Sequence, residues 1–227
     1  MKKQNTKSSP TCKAYLEREA VLNAIDTALD DHTWSRGPDD DIEQIIKYVV
    51  AVPEVEFDLQ EFQKLKEQLE IFKEIGCDVA IGDSWVEVDA RNKSLKPISV
   101  TTLPYPGFPT DLQAPLMATL ASIEGNSLIQ DTIYHDRFTH IAELKRLGAD
   151  IQLNGNTATI IGGKSLEGAD VMASDLRASA ALVLSGLIAE GETTISRIYH
   201  LDRGYEDFEA KMAKLGATVS RIRPELA

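Results

Sequence analysis

Two stretches of this chain place charged residues directly against runs of apolar ones. DLQAPLMATLASIEG begins at Asp111 and DLRASAALVLSGLIAEG begins at Asp175, and in each a carboxylate opens a helical pattern with almost no polar face. From 178 to 189 only two serines interrupt the apolar residues, so this helix is expected inside a core rather than on a surface. Arg177 follows Asp175 by two positions, and Arg137 and Arg203 occupy matching places in IYHDRF (133–138) and IYHLDRGY (198–205). A helix N-terminus exposes unpaired N–H groups and carries about half a positive charge, so it attracts anions. An arginine fork beside it suits a phosphate or a carboxylate. If the five side chains converge, they form an anion site with one or two carboxylates available for proton transfer. A plainer reading stands beside this one: each Asp caps its own helix, and the Asp-Arg pairs are local surface ion pairs of small worth.

The elements that would bring these residues together repeat along the chain. FKEIGCDVAI (72–81), LKRLGADIQL (144–153) and MAKLGATVSR (212–221) share a helix end, a glycine and an alternating strand. Their glycines, Gly76, Gly148 and Gly216, recur at roughly 70 residues, too long a period for a solenoid. The pattern reads as a β-α-β-α-β-β unit used twice, over about 98–165 and 166–223, with a degraded copy over about 56–97. Three such units packing helices inward and sheets outward make an α/β inside-out barrel lobe. Upstream, apolar spacing predicts helices over 14–31, 42–52 and 57–75, with Pro53 ending the second and Gly76 the third. The first dozen residues are polar and expected to fray. The chain thus divides into a helical segment, 1–55, and a lobe, 56–227.

Composition bounds the function. The chain has 227 residues, a net charge of -12, 43% hydrophobic and 26% charged residues, as expected for a globular protein with a sizeable core. The negative charge argues against nucleic acid, whose binding rests on Lys and Arg, but leaves room for a small anion held by local arginines. Two cysteines, Cys12 and Cys77, make no disulfide framework, which fits a reducing cytoplasm. The basic start leads into no apolar segment, and no apolar run is long enough to span a bilayer, so neither signal peptide nor membrane contact is expected.

The stretches YPGFPTDLQAPLMA, DRFTHIAELKRLGADI, VMASDLRASAALVLSGLIAEG and RIYHLDRGYEDFEAKMAKLGA resemble the UDP-N-acetylglucosamine 1-carboxyvinyltransferase family, over roughly 76–222. The resemblance implies the inside-out α/β lobe and enolpyruvyl transfer from phosphoenolpyruvate to UDP-N-acetylglucosamine in peptidoglycan synthesis, with no metal or organic cofactor. Carried over by position, it makes Asp111 the carboxylate that contacts the sugar 3-hydroxyl and takes its proton, and Asp175 the second proton carrier. Ile133 resembles a residue whose backbone touches the UDP-sugar. Arg137, Arg177 and Arg203 match charged residues around the enolpyruvyl site, with Arg203 a phosphoenolpyruvate ligand. Family members have a second lobe that bears a mobile cysteine loop, an arginine-rich surface and a Lys-Asn pair, and none of these motifs occurs here. The expectation is the C-terminal half of such an enzyme behind an unrelated N-terminus. It would be inactive alone and completed by a separate chain, or else a non-catalytic UDP-sugar-binding or interaction module.

Lesser signals carry no site. IIGGKS (160–165) has Ala158 where a phosphate loop needs glycine. His32, His135, His140 and His200 lack metal-ligand spacing. Cys77 reads as a core thiol, Trp34 and Trp85 as packing anchors, and Asp39, Asp40 and Asp41 as caps of the second helix.

Overall fold

A computed structural model describes residues 11–14, 66–81, 86–90, 93–214 and 216–222. Of the helix expected over 14–31 only Ala14 is described, and it ends a strand instead. The rest of that helix, the helix expected over 42–52, the start of the third, Trp34, Trp85, His32 and Asp39 to Asp41 lie outside the described residues.

Strand β1 is Thr11–Ala14. Helix α1, Lys66–Ile75, leads through Gly76 into the hairpin β2, Asp78–Ile81, and β3, Val86–Asp89. A complete unit follows: β4 (Ser99–Thr102), α2 (Gln113–Ser122), β5 (Gly125–Asp131), α3 (His140–Arg146), β6 (Asp150–Asn154) and β7 (Thr157–Gly162). The next comprises β8 (Asp170–Met172), α4 (Leu176–Ile188), β9 (Thr193–Ser196), α5 (Phe208–Lys214) and β10 (Ser220–Ile222). Short 3-10 turns precede α2 at Thr110–Leu112 and α5 at Ile198–Arg203.

The three helix-glycine-strand corners are the same structure. Gly76, Gly148 and Gly216 have φ of 112°, 94° and 90°. At each, the glycine N–H bonds to the carbonyl three residues back and the next N–H to the one five back, as in Cys77 to Phe72, Ala149 to Leu144 and Ala217 to Met212. This double bond pattern satisfies the last helical carbonyls only if the turning residue is left-handed, which glycine adopts without strain.

Sheet order makes the repeat explicit and corrects part of it. In the first unit β4 runs parallel to β5, and β7 lies between β5 and β6, giving the order β4-β5-β7-β6. In the second, β8 runs parallel to β9, and the place corresponding to β7 is taken by β1, giving β8-β9-β1-β10. The second unit, expected to supply all its own strands, borrows its closing strand from the start of the chain, and Thr11–Ala14 pairs on both edges where a frayed segment was expected.

The helices lie inside. Helix α4 is buried from Ala178 through Gly186, and α2 buries eight of its residues. The two helices meet through Ala114 and Ala118 on one side and Ala181 and Leu184 on the other, small side chains that allow close approach. The strands alternate buried and exposed, as β5 does along its length, so one sheet face covers the helices and the other meets water. The apolar runs after Asp111 and Asp175 follow from this: a helix enclosed on all sides has no polar face.

Candidate functional site

The two carboxylates that looked alike in sequence do different work. Asp175 is the N-cap of α4: its Oδ1 accepts from the N–H of Arg177 at 2.9 Å and of Ala178 at 3.1 Å. The first N–H groups of a helix have no intrahelical partner, and at this half-buried start the Asp175 side chain satisfies two of them. Its Oδ2 accepts from Ser174 Oγ at 3.0 Å and, more weakly, from Thr139 Oγ1 at 3.5 Å, joining the start of α3 to the start of α4. Burial works to raise the Asp175 pKa, but the bonds from Ala178, Ser174 and Arg177, together with the field of His140, hold it below the usual carboxylate range.

Asp111 caps nothing. It lies in the turn ahead of α2, whose N-cap, Leu112, makes no side-chain cap bond. Its Oδ1 instead accepts from Arg177 Nε at 2.6 Å and from Arg137 Nη1 at 2.6 Å. The bond from Arg177 leads the effects that hold the Asp111 carboxyl below its ordinary range; burial opposes it, and Arg137 adds to the lowering. The pair is open to solvent, with the Asp111 side chain 58% exposed. Arg137 also lies over the Tyr134 ring, 4.9 Å from its centroid. Arg177 shares its surroundings with Tyr205.

A third carboxylate, which the sequence reading passed over, joins these parts. Asp131 ends β5 and is fully buried. Its Oδ1 accepts from Thr102 Oγ1 at 2.8 Å and from the N–H of Ile133 (3.0 Å) and Tyr134 (2.8 Å); its Oδ2 accepts from Thr110 Oγ1 at 2.5 Å. Burial pushes its pKa up, and these four bonds outweigh the burial. The signal in the sequence was parity: in β5, Ser127, Ile129 and Asp131 face the same, buried side, and an inward carboxylate needs partners. The Ile133 N–H is thereby committed to Asp131, while its side chain is exposed.

Arg203 ends the turn at Ile198–Arg203. The next residue, Gly204, lies against Leu176 of α4, where an added Cβ would come within 2.7 Å of Leu Cδ2. This puts Arg203 near the α4 start, yet among the described residues it forms no ion pair with Asp111 or Asp175. Its neighbour Asp202 is gripped by Arg221 of β10 through Nη1 (3.0 Å) and Nη2 (2.6 Å), and Arg221 Nε donates to Glu209 of α5. Structure therefore bonds Asp111, Arg137 and Arg177 together, ties Asp175 to the Arg177 backbone, attaches Ile133 through Asp131, and leaves Arg203 alongside.

Two buried polar side chains border the site. His140, at the start of α3, is 2% exposed and its Nε2 has no partner; burial pushes its pKa down to about 4, against the pull of Asp175. Gln113, two residues after Asp111 as Arg177 is after Asp175, is fully buried at the start of α2, and neither of its amide atoms is hydrogen-bonded. Among the described residues no group of three or more His, Cys, Asp or Glu could hold a metal ion, and no helix is long and apolar enough to cross a membrane. Cys77 is a buried thiol, its pKa pushed up to about 11 chiefly by burial.

Comparison with known proteins agrees with this architecture. The family of EPSP synthase (3-phosphoshikimate 1-carboxyvinyltransferase) matches residues 45–212. A UDP-N-acetylglucosamine 1-carboxyvinyltransferase of Desulfosudis oleivorans is 51% identical over 160 residues, covering 70% of this chain and 38% of that protein. One from Clostridium acetobutylicum is 46% identical over 178 residues, covering 78% and 42%. The chain thus spans about two fifths of the length of these relatives. Among solved structures, the enolpyruvyl transferase NikO from Streptomyces tendae superposes with a TM-score of 0.64 at 30% identity, over 70% of this chain and 37% of that one. An EPSP synthase from Acinetobacter baumannii, at 17% identity and a TM-score of 0.51 over 82% of this chain and 41% of that one, shares the fold. With helices inside, sheets outside and charged residues at the helix starts, the chain belongs to the EPSP synthase family of enolpyruvyl transferases.

Proposed function

We propose that residues 56–227, with the strand Thr11–Ala14, form the lobe of an enolpyruvyl transferase that acts on UDP-N-acetylglucosamine and phosphoenolpyruvate, in the cytoplasmic stage of peptidoglycan synthesis, without metal or organic cofactor. The observation that carries this reading is the exposed Asp111 carboxylate held between Arg137 and Arg177, beside the α4 N-terminus. In the reaction, the sugar 3-hydroxyl oxygen bonds to C2 of phosphoenolpyruvate, its proton passes to Asp111, and C3 gains a proton. Loss of that C3 proton then expels inorganic phosphate and leaves the enolpyruvyl ether. The proton that C3 gains comes from water. Asp175 is the second proton carrier, taking the C3 proton in the elimination through Oδ2, whose hydroxyl donors Ser174 and Thr139 can rotate away while Oδ1 stays on the helix cap.

A carboxylate bonded to two guanidinium groups is a poor base. Anionic substrate groups that draw Arg137 and Arg177 away from Asp111 raise its basicity at the moment it is needed. Arg203 is a further ligand for phosphoenolpyruvate. The open edge gives the reactants one wall, whereas fixing two reactants in attack geometry is worth ~7–11 kcal/mol. These 227 residues by themselves are therefore expected not to turn over and to need the second lobe to complete the site. The same exposure of Asp111 favours a second reading, a UDP-sugar-binding or interaction module without turnover.

Phosphate release from UDP-N-acetylglucosamine and phosphoenolpyruvate separates the two. Release only when the cysteine-bearing lobe of a relative is added, and lost in Asp111→Ala, supports the transferase lobe. Binding of UDP-N-acetylglucosamine without release under either condition supports the binding module.

A further inference from the structure

The charged edge is held by a relay that begins at a buried residue. Thr110 Oγ1 donates its single hydrogen to Asp131 Oδ2 at 2.5 Å. With that hydrogen committed, the oxygen turns its lone pairs outward and accepts from Arg137 Nη1 at 3.2 Å. The same Nη1 donates to Asp111 Oδ1 at 2.6 Å. Meanwhile Asp131 Oδ1 holds the N–H groups of Ile133 and Tyr134, the start of the loop that carries Arg137.

We propose that Asp131 is a positioning residue which, through Thr110, sets the orientation of the Arg137 guanidinium against Asp111 and fixes the spacing between Asp111 and Ile133. This inference deepens the reading of that edge as the sugar-hydroxyl site and rests on it for its consequence in binding.

The chemistry requires a carboxylate at 131. An asparagine there can keep its oxygen toward the two backbone N–H groups, which can only donate, but then turns an N–H toward Thr110. Thr110 must reverse, accepting from the amide and losing the acceptor for its own hydrogen, so its oxygen no longer faces Arg137 with both lone pairs free. Asp131 itself is fully buried, so on its side no water can repair the loss. A second anchor, Thr102, donates to Asp131 Oδ1 and accepts from the Thr132 N–H. The knot therefore spans β4, the turn before α2 and the loop after β5.

The test reads the guanidinium directly. In the full chain, nitrogen-proton spectra of Arg137 are expected to show separate, slowly exchanging Nη resonances, because Nη1 is held by two acceptors. Thr110→Val and Asp131→Asn are expected to lose that separation, and Thr110→Ser, which keeps the hydroxyl, to retain it. Amide exchange of α2 and α4 in the same samples reports whether the fold persists; a role limited to stability would lower protection there and leave the Arg137 resonances separate. Persistence of separate resonances in Thr110→Val, or their loss in Thr110→Ser, overturns the proposal, and Thr110→Val decides the matter if Asp131→Asn does not fold. Titration with UDP-N-acetylglucosamine is read separately. An unresponsive wild type sinks the sugar reading while the resonances still judge the relay, and a two- to fivefold weaker affinity in Thr110→Val supports both.

Discussion

Replacing Asp111 by Asn tests whether the site is an anion trap occupied by its own carboxylate. In the folded chain Asp111 Oδ1 takes a bond from each of two arginines, both at 2.6 Å. The ion pairs are partly exposed, with Arg137 and Arg177 at 21% and 32%, so each is worth ~0.2–1 kcal/mol. An incoming phosphate must displace both, a cost of roughly 0.4–2 kcal/mol that Asn removes almost entirely. At 1.4 kcal/mol per tenfold, Asp111→Asn should bind inorganic phosphate or phosphoenolpyruvate about 2- to 30-fold more tightly than the wild type. Phosphorus NMR titration measures this. Raising the salt from a low level to about 0.15 M should shrink the difference, because exposed charges are screened. Phosphate affinity that is unchanged or weaker at low salt would refute the reasoning, since it would mean that the arginines serve only to hold Asp111.

Two further outcomes follow from neighbouring groups. His140 has a folded pKa of about 4 against an ordinary 6.5, so its contribution is intact above pH 6.5 and is lost as pH falls toward 4, where the unfolded chain takes up the proton first. Urea unfolding should show a loss on the order of 3 kcal/mol at most across that window, flattened in His140→Leu; Asp111, Asp131 and Asp175, whose pKa values are lowered, act only below the ordinary carboxylate range, so the two effects separate. Arg221→Gln should release the Asp202 and Glu209 contacts and loosen the turn that presents Arg203; hydrogen exchange of amides 199–205 should quicken while α4 stays protected, and unchanged protection in the turn would exclude a role for Arg221 in placing Arg203.

Much of this architecture is legible without coordinates because its causes are local. An apolar run with no polar face suits an enclosed helix, as 178–186 proved to be. A glycine after a helical pattern and before an alternating one announces the left-handed corner, and the same corner three times announces the repeat. The cap at Asp175 is equally local, since its acceptor and donors lie within three residues.

The roles that depend on distant partners were not legible. Asp111 and Asp175 open nearly identical motifs, and nothing within either segment says that one turns back to its own helix and the other outward to arginine. That choice was made when α2 and α4 packed side by side and brought Arg177 from 66 positions away. The strand Thr11–Ala14 reads as a polar leader until a sheet with an empty edge pair receives it between β9 and β10. Asp131 had only its parity to mark it, because its side-chain donors Thr102 and Thr110 lie 29 and 21 positions back along the chain. Periodicity, caps and left-handed corners are settled by neighbours along the backbone and are written in the sequence. Whether two side chains share a proton or an ion pair depends on the juxtaposition of separate helices and strands, and packing alone determines that.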